Sequence, residues 1–297
     1  MGKRMIVTGA TGFVGSAVVR KALEHNWDVT CIVHEGSKRL SNIPNDKRLN
    51  IVECNVSNYN NLQLNEQYDV FIHMAWEKTF GALRDDTAIQ VRNIQYTLDA
   101  CNLAKRLGCR KFIGAGSQAE YGIKNEPLSP DMPVNPESGY GIAKYSAGKL
   151  SKLLCEQLGM EFNWVRILSV YGPNDSPNTL ISYLINELKH DKSPELTKCE
   201  QMWDYLYSDD AGEAFVLIAD KGLDGKVYVL GSGQKRQLRE YVEDIKMAVN
   251  SSTNVQYGAK DYYPHQPMYM VADITELRKD IYLVPKISFI QGIKNII

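Results

Sequence analysis

Three glycines at three-residue intervals, Gly9, Gly12 and Gly15, leave few folds open to this chain. They lie between a short apolar run, Met5 to Val7, and an apolar pattern of helical period, Val14, Val18, Val19 and Leu23. Strand, glycine turn and helix in that order form a phosphate cradle. Glycine permits the tight turn and lets backbone approach a pyrophosphate, and the helix N-terminus offers free N–H groups and partial positive charge. A second strand, Val29 to Val33, completes a βαβ unit within about thirty residues. The implied ligand is a dinucleotide. The competing reading is a purely structural turn, and the spacing is Gly-x-x-Gly-x-x-Gly rather than Gly-x-Gly-x-x-Gly.

Apolar runs continue to alternate with helical patterns. Strands are expected at Leu49–Cys54, Asp69–Ala75, Lys111–Ser117 and Phe162–Leu168, with helices over about 85–107 and 140–158 closed by Gly108 and Gly159. This alternation predicts an α/β fold, a doubly wound parallel (Rossmann) sheet with a smaller C-terminal α/β substrate lobe. Residues 1–170 are expected to form the dinucleotide-binding domain, with 204–232 crossing back to it. Residues 171–203 and 233–297, including a Pro/Tyr-rich loop around 262–267, form the lobe at the sheet edge where such folds bind ligands.

Bulk properties narrow the partners. A formal net charge of −1 gives no electrostatic case for nucleic acid or an anionic membrane. No stretch approaches the roughly twenty apolar residues of a membrane span, and a strand starting at the fifth residue leaves no room for a leader, so a cytoplasmic location is expected. The six cysteines contain no Cys-x-x-Cys pair and the five histidines no ligand spacing. Reduced thiols and no metal are the expectation.

Tyr140 and Lys144 are four apart in a predicted helix, hence on one face, and Ser117 ends the preceding strand on the cofactor edge. A tyrosine with its usual pKa near 10 is too weak an acid to exchange protons at neutral pH. A neighbouring ammonium stabilises the phenolate and lowers that value, as does the charge of an oxidised nicotinamide. Ser117 can then hold the substrate oxygen while Tyr140 exchanges its proton. The Tyr-x-x-x-Lys spacing alone is common on solvated helix faces.

Context strengthens the pair. Thr8-Gly-Ala-Thr-Gly-Phe-Val-Gly15, His73-Met-Ala75, Asn93, Ser117-Gln-Ala-Glu-Tyr-Gly122, Tyr140-Gly-Ile-Ala-Lys144, Tyr171-Gly-Pro173, Trp203-Asp-Tyr-Leu-Tyr-Ser-Asp-Asp210 and Ala272-Asp-Ile-Thr-Glu-Leu277 occur in order along nearly the whole chain. Together they resemble the extended short-chain dehydrogenase/reductases of the NAD-dependent epimerase/dehydratase group, which modify nucleotide sugars. The resemblance implies Tyr140 as general acid/base, Lys144 as its pKa-lowering partner and ribose ligand, and Ser117 as the group orienting the substrate oxygen. It implies a pyrophosphate site at Gly9, Thr11, Gly12, Phe13, Val14 and Gly15, adenine contacts at Asn55 and Val56, and further cofactor contacts at Met74, Ala75, Lys78, Ile167 and Val170. His73 is read as a packed strand-end histidine and Asn93 as a brace rather than a substrate contact. The helices 85–107 and 140–158 resemble a pair that forms a four-helix interface, which implies a homodimer.

Departures from the pattern refine the expectation. Dehydratases of the group carry an Asp-Glu pair where this chain has Gln118 and Ala119, so 4,6-dehydration is not expected. NAD users place an acid where this chain has Val33; His34 and Lys38 suit a 2′-phosphate, whereas Glu35 opposes it. NADP is the expected cofactor and NAD the alternative. Trp76, Glu120, Ser169, Asn178 and Trp203 are the candidate substrate residues, with simple packing the competing reading for both tryptophans. The expected activity is reduction of a nucleotide-diphosphate 4-keto-6-deoxysugar at C4. The alternatives are a 4-epimerase with tightly bound NAD and, from another class, a non-catalytic NAD(P)-binding sensor.

Overall fold

A computed structural model describes residues 2–264 and 266–297, which leaves His265 of the Pro/Tyr-rich loop and Met1 outside the description. Strands β1 (Arg4–Thr8), β2 (Asp28–Val33), β3 (Leu49–Glu53), β4 (Val70–His73), β5 (Lys111–Ser117) and β6 (Glu161–Ile167) form one parallel sheet with a later strand. The sheet runs in the order β11-β6-β5-β4-β1-β2-β3, where β11 is Val227–Leu230. The order reverses beside β1, so the crevice at the carboxyl ends of β1 and β4 is the ligand-binding position of an open α/β sheet.

Both faces of the sheet are covered, as continuous apolar strands require. Met5 and Val7 point into a core shared with helices α1 (Phe13–Glu24) and α5 (Ser208–Lys221), and Ile6 into a second core beneath α2 (Thr87–Arg106) and α3 (Gly139–Leu158). Helix boundaries follow local chemistry. Asp86 caps α2 by accepting from the Ile89 N–H, Ser138 caps α3 by accepting from the Gly141 N–H, and Gly159 ends α3 in the left-handed region at φ +65°.

Small residues draw α3 close to the sheet. The Trp164 indole of β6 lies flat against Gly114 and Gly116 of β5, and a Cβ at either would clash with it. On its other side a Cβ at Gly148 of α3 would lie 2.7 Å from the same ring. With three glycines sandwiching one indole, α3 sits near enough for Lys144 to reach the β5 backbone.

After β7 (Ser169–Tyr171) the chain builds a smaller unit around a third core. It contains α4 (Leu180–Lys189), β8 (Glu195–Leu196), β9 (Met202–Trp203) and β10 (Tyr205–Tyr207). Later it adds β12 (Arg236–Gln237), α6 (Leu238–Val249), β13 (Gln256–Tyr257), β14 (Tyr269–Met270) and α8 (Phe289–Lys294), whereas α7 (Thr275–Ile281) returns to the main sheet, packing on α5 and β11 with Leu277 and Ile281 in the first core. Between these parts α5 packs on α1, and β11 pairs with β6 in parallel. Asp204 ties the connection. Fully buried, it accepts from the backbone N–H groups of Ser232, Gly233 and Ala272 and from the Ser232 hydroxyl.

Candidate active site

The glycine loop is built for close backbone contact. Gly9 has φ +66°, and a Cβ there would lie 2.8 Å from the Ala75 nitrogen; a Cβ at Gly15 would drive into the Gly9 carbonyl. Gly12 is the residue before α1 and supplies no side-chain cap, so the first N–H groups of the helix, including those of Phe13 and Val14, are left for an external acceptor. This cradle fits a pyrophosphate. Thr11 is tied to the next segment, receiving the Asn42 side-chain amide at its carbonyl (3.0 Å) and the Ser37 hydroxyl at its own (3.4 Å). That segment brings His34 and Lys38 to the rim, both exposed; the His34 ring meets the Glu35 carbonyl. Asn55 and Val56 are half-buried after β3, and the Asn55 amide oxygen accepts from the Glu35 N–H at 3.3 Å.

The β4 end is wired to the loop. Thr8 Oγ accepts from the N–H groups of Met74 (3.1 Å) and Ala75 (3.3 Å), so its hydrogen goes to His73 Nδ1 at 2.9 Å. His73 is thus a packed, neutral histidine. Burial, reinforced by the Lys144 charge, pushes its pKa down to about 3, and its Nε2 has no partner among the described residues. Beyond it, residues 76–78 are held by α2. Gln90 accepts from the Trp76 indole at 3.0 Å and donates to the Lys78 carbonyl, while Asn93 clamps both backbone groups of Glu77. Asn93 therefore braces the β4–α2 loop. Lys78 is exposed with φ +57°.

Ser117, Tyr140 and Lys144 meet where β5 ends and α3 begins. Ser117 caps a short turn, accepting from the Ala119 N–H, and its hydroxyl lies near enough to Tyr140 to favour the phenolate. Lys144 is 4 % exposed; its Nζ donates to the Ala115 carbonyl at 2.6 Å and lies 3.7 Å from the Trp76 ring centre. Burial lowers the lysine to about 7 against the opposing pull of Glu120. Burial raises Tyr140, while Ser117 and the positive charge of Arg84 pull it down. Trp76 meets the Tyr140 ring edge-on at 5.9 Å. An uninterrupted path of contacts thus runs from Gly9 through Ala75 and Trp76 to the Tyr140–Lys144 pair. The Tyr140 phenol, the Lys144 side chain and the glycine cradle lie on one sheet edge.

The candidate substrate residues divide. Trp76 stands beside the pair, but Glu120 is a correction. Its carboxylate is 1 % exposed, with Oε1 accepting from the Ser117 N–H and the Trp164 indole (both 2.9 Å) and Oε2 from Arg166 Nε at 2.8 Å. With both oxygens spent inside the protein, it supports Ser117 and does not line the pocket. Ser169 and Trp203 bond to each other, indole to hydroxyl at 2.8 Å, and Trp203 packs on the cores of both parts. Asn178 is exposed, with its N–H on the Ser176 hydroxyl. Ile167 and Val170 are half-buried along β6 and β7, beside the Ser117 end of β5. Sequence reasoning overlooked Arg84, in the turn Ala82–Asp85, whose guanidinium carbon lies 4.7 Å from the Tyr140 ring centre. It also overlooked Gln90, a buried polar residue on a helix face. Arg84 belongs to no periodic segment, so no pattern could have found it.

Among the described residues no helix is long and apolar enough to cross a membrane, and no group of metal-binding side chains converges. The six cysteines are buried and unpaired. The chain is 24 % identical over 298 residues to a trifunctional UDP-glucose 4,6-dehydratase/UDP-4-keto-6-deoxy-D-glucose 3,5-epimerase/UDP-4-keto-L-rhamnose-reductase of Arabidopsis thaliana, matching 93 % of this chain and 44 % of that protein. It thus spans less than half the length of this relative. Among solved structures it is similar to a UDP-N-acetylglucosamine 4-epimerase from Methanobrevibacter ruminantium in complex with UDP-N-acetylmuramic acid (TM-score 0.86, 24 % identity, 99 % of this chain and 96 % of that one). It is also similar to a UDP-glucuronic acid 4-epimerase from Bacillus cereus in complex with NAD (TM-score 0.85, 22 % identity, 98 % and 96 %). A family model matches residues 5–231, most of the chain, and with the glycine cradle and the Rossmann sheet it places this protein in the NAD dependent epimerase/dehydratase family.

Proposed function

We propose that this chain is an NAD(P)-dependent oxidoreductase acting at C4 of a nucleotide-diphosphate sugar, most favourably as a 4-keto-6-deoxysugar reductase. One observation carries the reading: Tyr140 faces Ser117 one helical turn from Lys144, with Trp76 linking the pair to the glycine cradle. Residues 9–15 hold the pyrophosphate, Asn55 and Val56 flank the adenine, and the two Lys144 N–H bonds not spent on Ala115 are available to the ribose. A reduced nicotinamide held by these residues would supply the hydride. Ser117 holds the sugar oxygen, and Tyr140 passes it a proton from the phenol. Gln118 and Ala119 provide neither acid nor base for elimination, which argues against dehydration. Residues 1–170 with 204–232 serve as the cofactor domain, and 171–203 with 233–297 as the sugar-nucleotide lobe.

NADP is the preferred cofactor in this reading, supported by Val33 at the end of β2 and by exposed His34 and Lys38 beside Thr11. A homodimer through α2 and α3 is supported by their unpartnered apolar side chains Val91, Ile142, Leu150 and Leu153, which are 44–63 % exposed. The second reading, a 4-epimerase with tightly held NAD, is favoured by the two solved 4-epimerases named above. A panel of UDP-, GDP-, CDP- and dTDP-linked 4-keto-6-deoxysugars, each mixed with NADPH or NADH, separates the readings. Stoichiometric loss of the 340 nm absorbance supports the reductase. C4 inversion of a sugar nucleotide by protein purified with NAD in place contradicts it and establishes the epimerase. Binding of cofactor with neither reaction across the panel leaves a dinucleotide sensor.

A further inference from the structure

We infer that Arg84 is a positioning residue for the acid–base tyrosine, its guanidinium stacked on the Tyr140 ring as a permanent positive charge that fixes the ring and stabilises the phenolate. The inference rests on the role given to Tyr140 above. Arg84 lies in the turn Ala82–Asp85, between β4 and α2, with its guanidinium carbon 4.7 Å from the ring centre. The backbone enforces that approach. The next residue, Asp85, accepts from the N–H of Gly139, the residue immediately before Tyr140, at 2.7 Å. Asp86 then caps α2 through the Ile89 N–H. The Arg84 turn and the first turn of α3 are thus pinned together by one short charge-assisted bond.

Among the described residues the guanidinium makes no ion pair. Neither of its acidic neighbours reaches it, since both are engaged with backbone, and its Nε is buried with no partner among the described residues. Arg84 is half-buried, and an arginine partly withdrawn from water normally recovers hydration through a carboxylate. Here the face of Tyr140 is what it meets, a cation–π contact that strengthens when the ring carries negative charge.

The other groups around the ring do not supply this charge. From α3 itself comes Lys144, 5.8 Å from the ring centre, but burial disfavours its charged form and its Nζ is directed to Ala115. From the turn after β5 come Ser117, which is neutral, and Glu120, whose negative charge opposes ionisation. From the β4–α2 loop come Trp76, which is neutral, and Arg84. A guanidinium stays charged at every pH at which the protein is folded. Arg84 is therefore the constant positive group at the phenol, whichever redox state the cofactor is in.

The test is a titration of Tyr140 in the full chain with NAD⁺ added, using tyrosine labelled with ¹³C at Cζ and the resonance assigned by its loss in Tyr140→Phe. The expected result is a midpoint in Arg84→Met raised by about one pH unit, a tenfold smaller phenolate fraction at fixed pH. Arg84→Gln should match Arg84→Met, and Arg84→Lys should recover part of the shift, which separates charge from packing. Midpoints in Arg84→Met and Arg84→Gln equal to wild type overturn the inference, as does a wild-type Tyr140 that does not titrate. Turnover by Tyr140→Phe reads the catalytic role separately: an active variant removes that role without altering the titration.

Discussion

Breaking the buried Glu120–Arg166 pair should cost the fold more than any other single charge change near the site. Glu120 is 1 % exposed and Arg166 4 %, and the carboxylate collects the Ser117 N–H, the Trp164 indole and Arg166 Nε. Glu120→Gln keeps the shape and an oxygen for Ser117 and Trp164, but turns an amide donor toward the guanidinium. Arg166 then retains only the Pro130 carbonyl at 3.2 Å and the face of Tyr121. Leaving a buried charge unpaired costs about 3–5 kcal/mol. At about 2.1 cal/mol/K per residue, unfolding the whole chain has an entropy near 0.6 kcal/mol/K, so the expected loss in Tm is about 5–8 °C. Thermal melts followed by circular dichroism measure it. The double variant Glu120→Gln/Arg166→Met should recover most of the loss, because the uncompensated charge is gone. A single variant melting within about 1 °C of wild type, on the same entropy scale, would refute the account of Glu120 as a structural carboxylate. So would a double variant no better than the single.

Three further outcomes follow from the same geometry. His73 has its pKa lowered to about 3 in the folded chain against 6.5 in the reference state, so the unfolded chain binds a proton that the native one does not; stability should fall as pH drops from 6.5 toward 3, by about 2.7 kcal/mol at pH 4.5, and urea midpoints of His73→Asn should lack that loss. Gly15→Ala forces a methyl into the Gly9 carbonyl, so dinucleotide affinity measured by fluorescence quenching should fall at least tenfold, about 1.4 kcal/mol, and a normal affinity would contradict the cradle. Lys38→Glu should weaken NADPH binding by about tenfold or more while leaving NADH nearly unchanged, and an unaltered NADPH/NADH ratio counts against a 2′-phosphate site.

What could be read from residues alone was whatever repeats with a period or rests on backbone geometry. The order Met5–Val7, Gly9–Gly15, Val14–Leu23 declares a βα turn, and the structure has β1 and α1 there. Tyr140 and Lys144 share a helix face by spacing alone. Glu120 was a substrate candidate because it departs from the family pattern; only the fold brings Arg166, 46 positions away, to meet it. Arg84 was silent for the same reason, and Asp204, though part of the Trp203–Asp210 motif, gave no sign of the contacts it makes. One sits in an irregular turn that Asp85 ties to α3, and the other gathers N–H groups from segments 28 and 68 residues distant. Irregular segments owe their positions to long-range hydrogen bonds, which leave no local pattern.

Single-turnover hydride transfer in Tyr140→Phe, with cofactor binding measured on the same sample, bears most directly on the central claim. With a sugar nucleotide that wild type turns over, the variant should bind the dinucleotide as tightly as wild type but transfer hydride about 10²–10⁴-fold more slowly. Transfer at the wild-type rate would show that the phenol is not the proton-exchanging group.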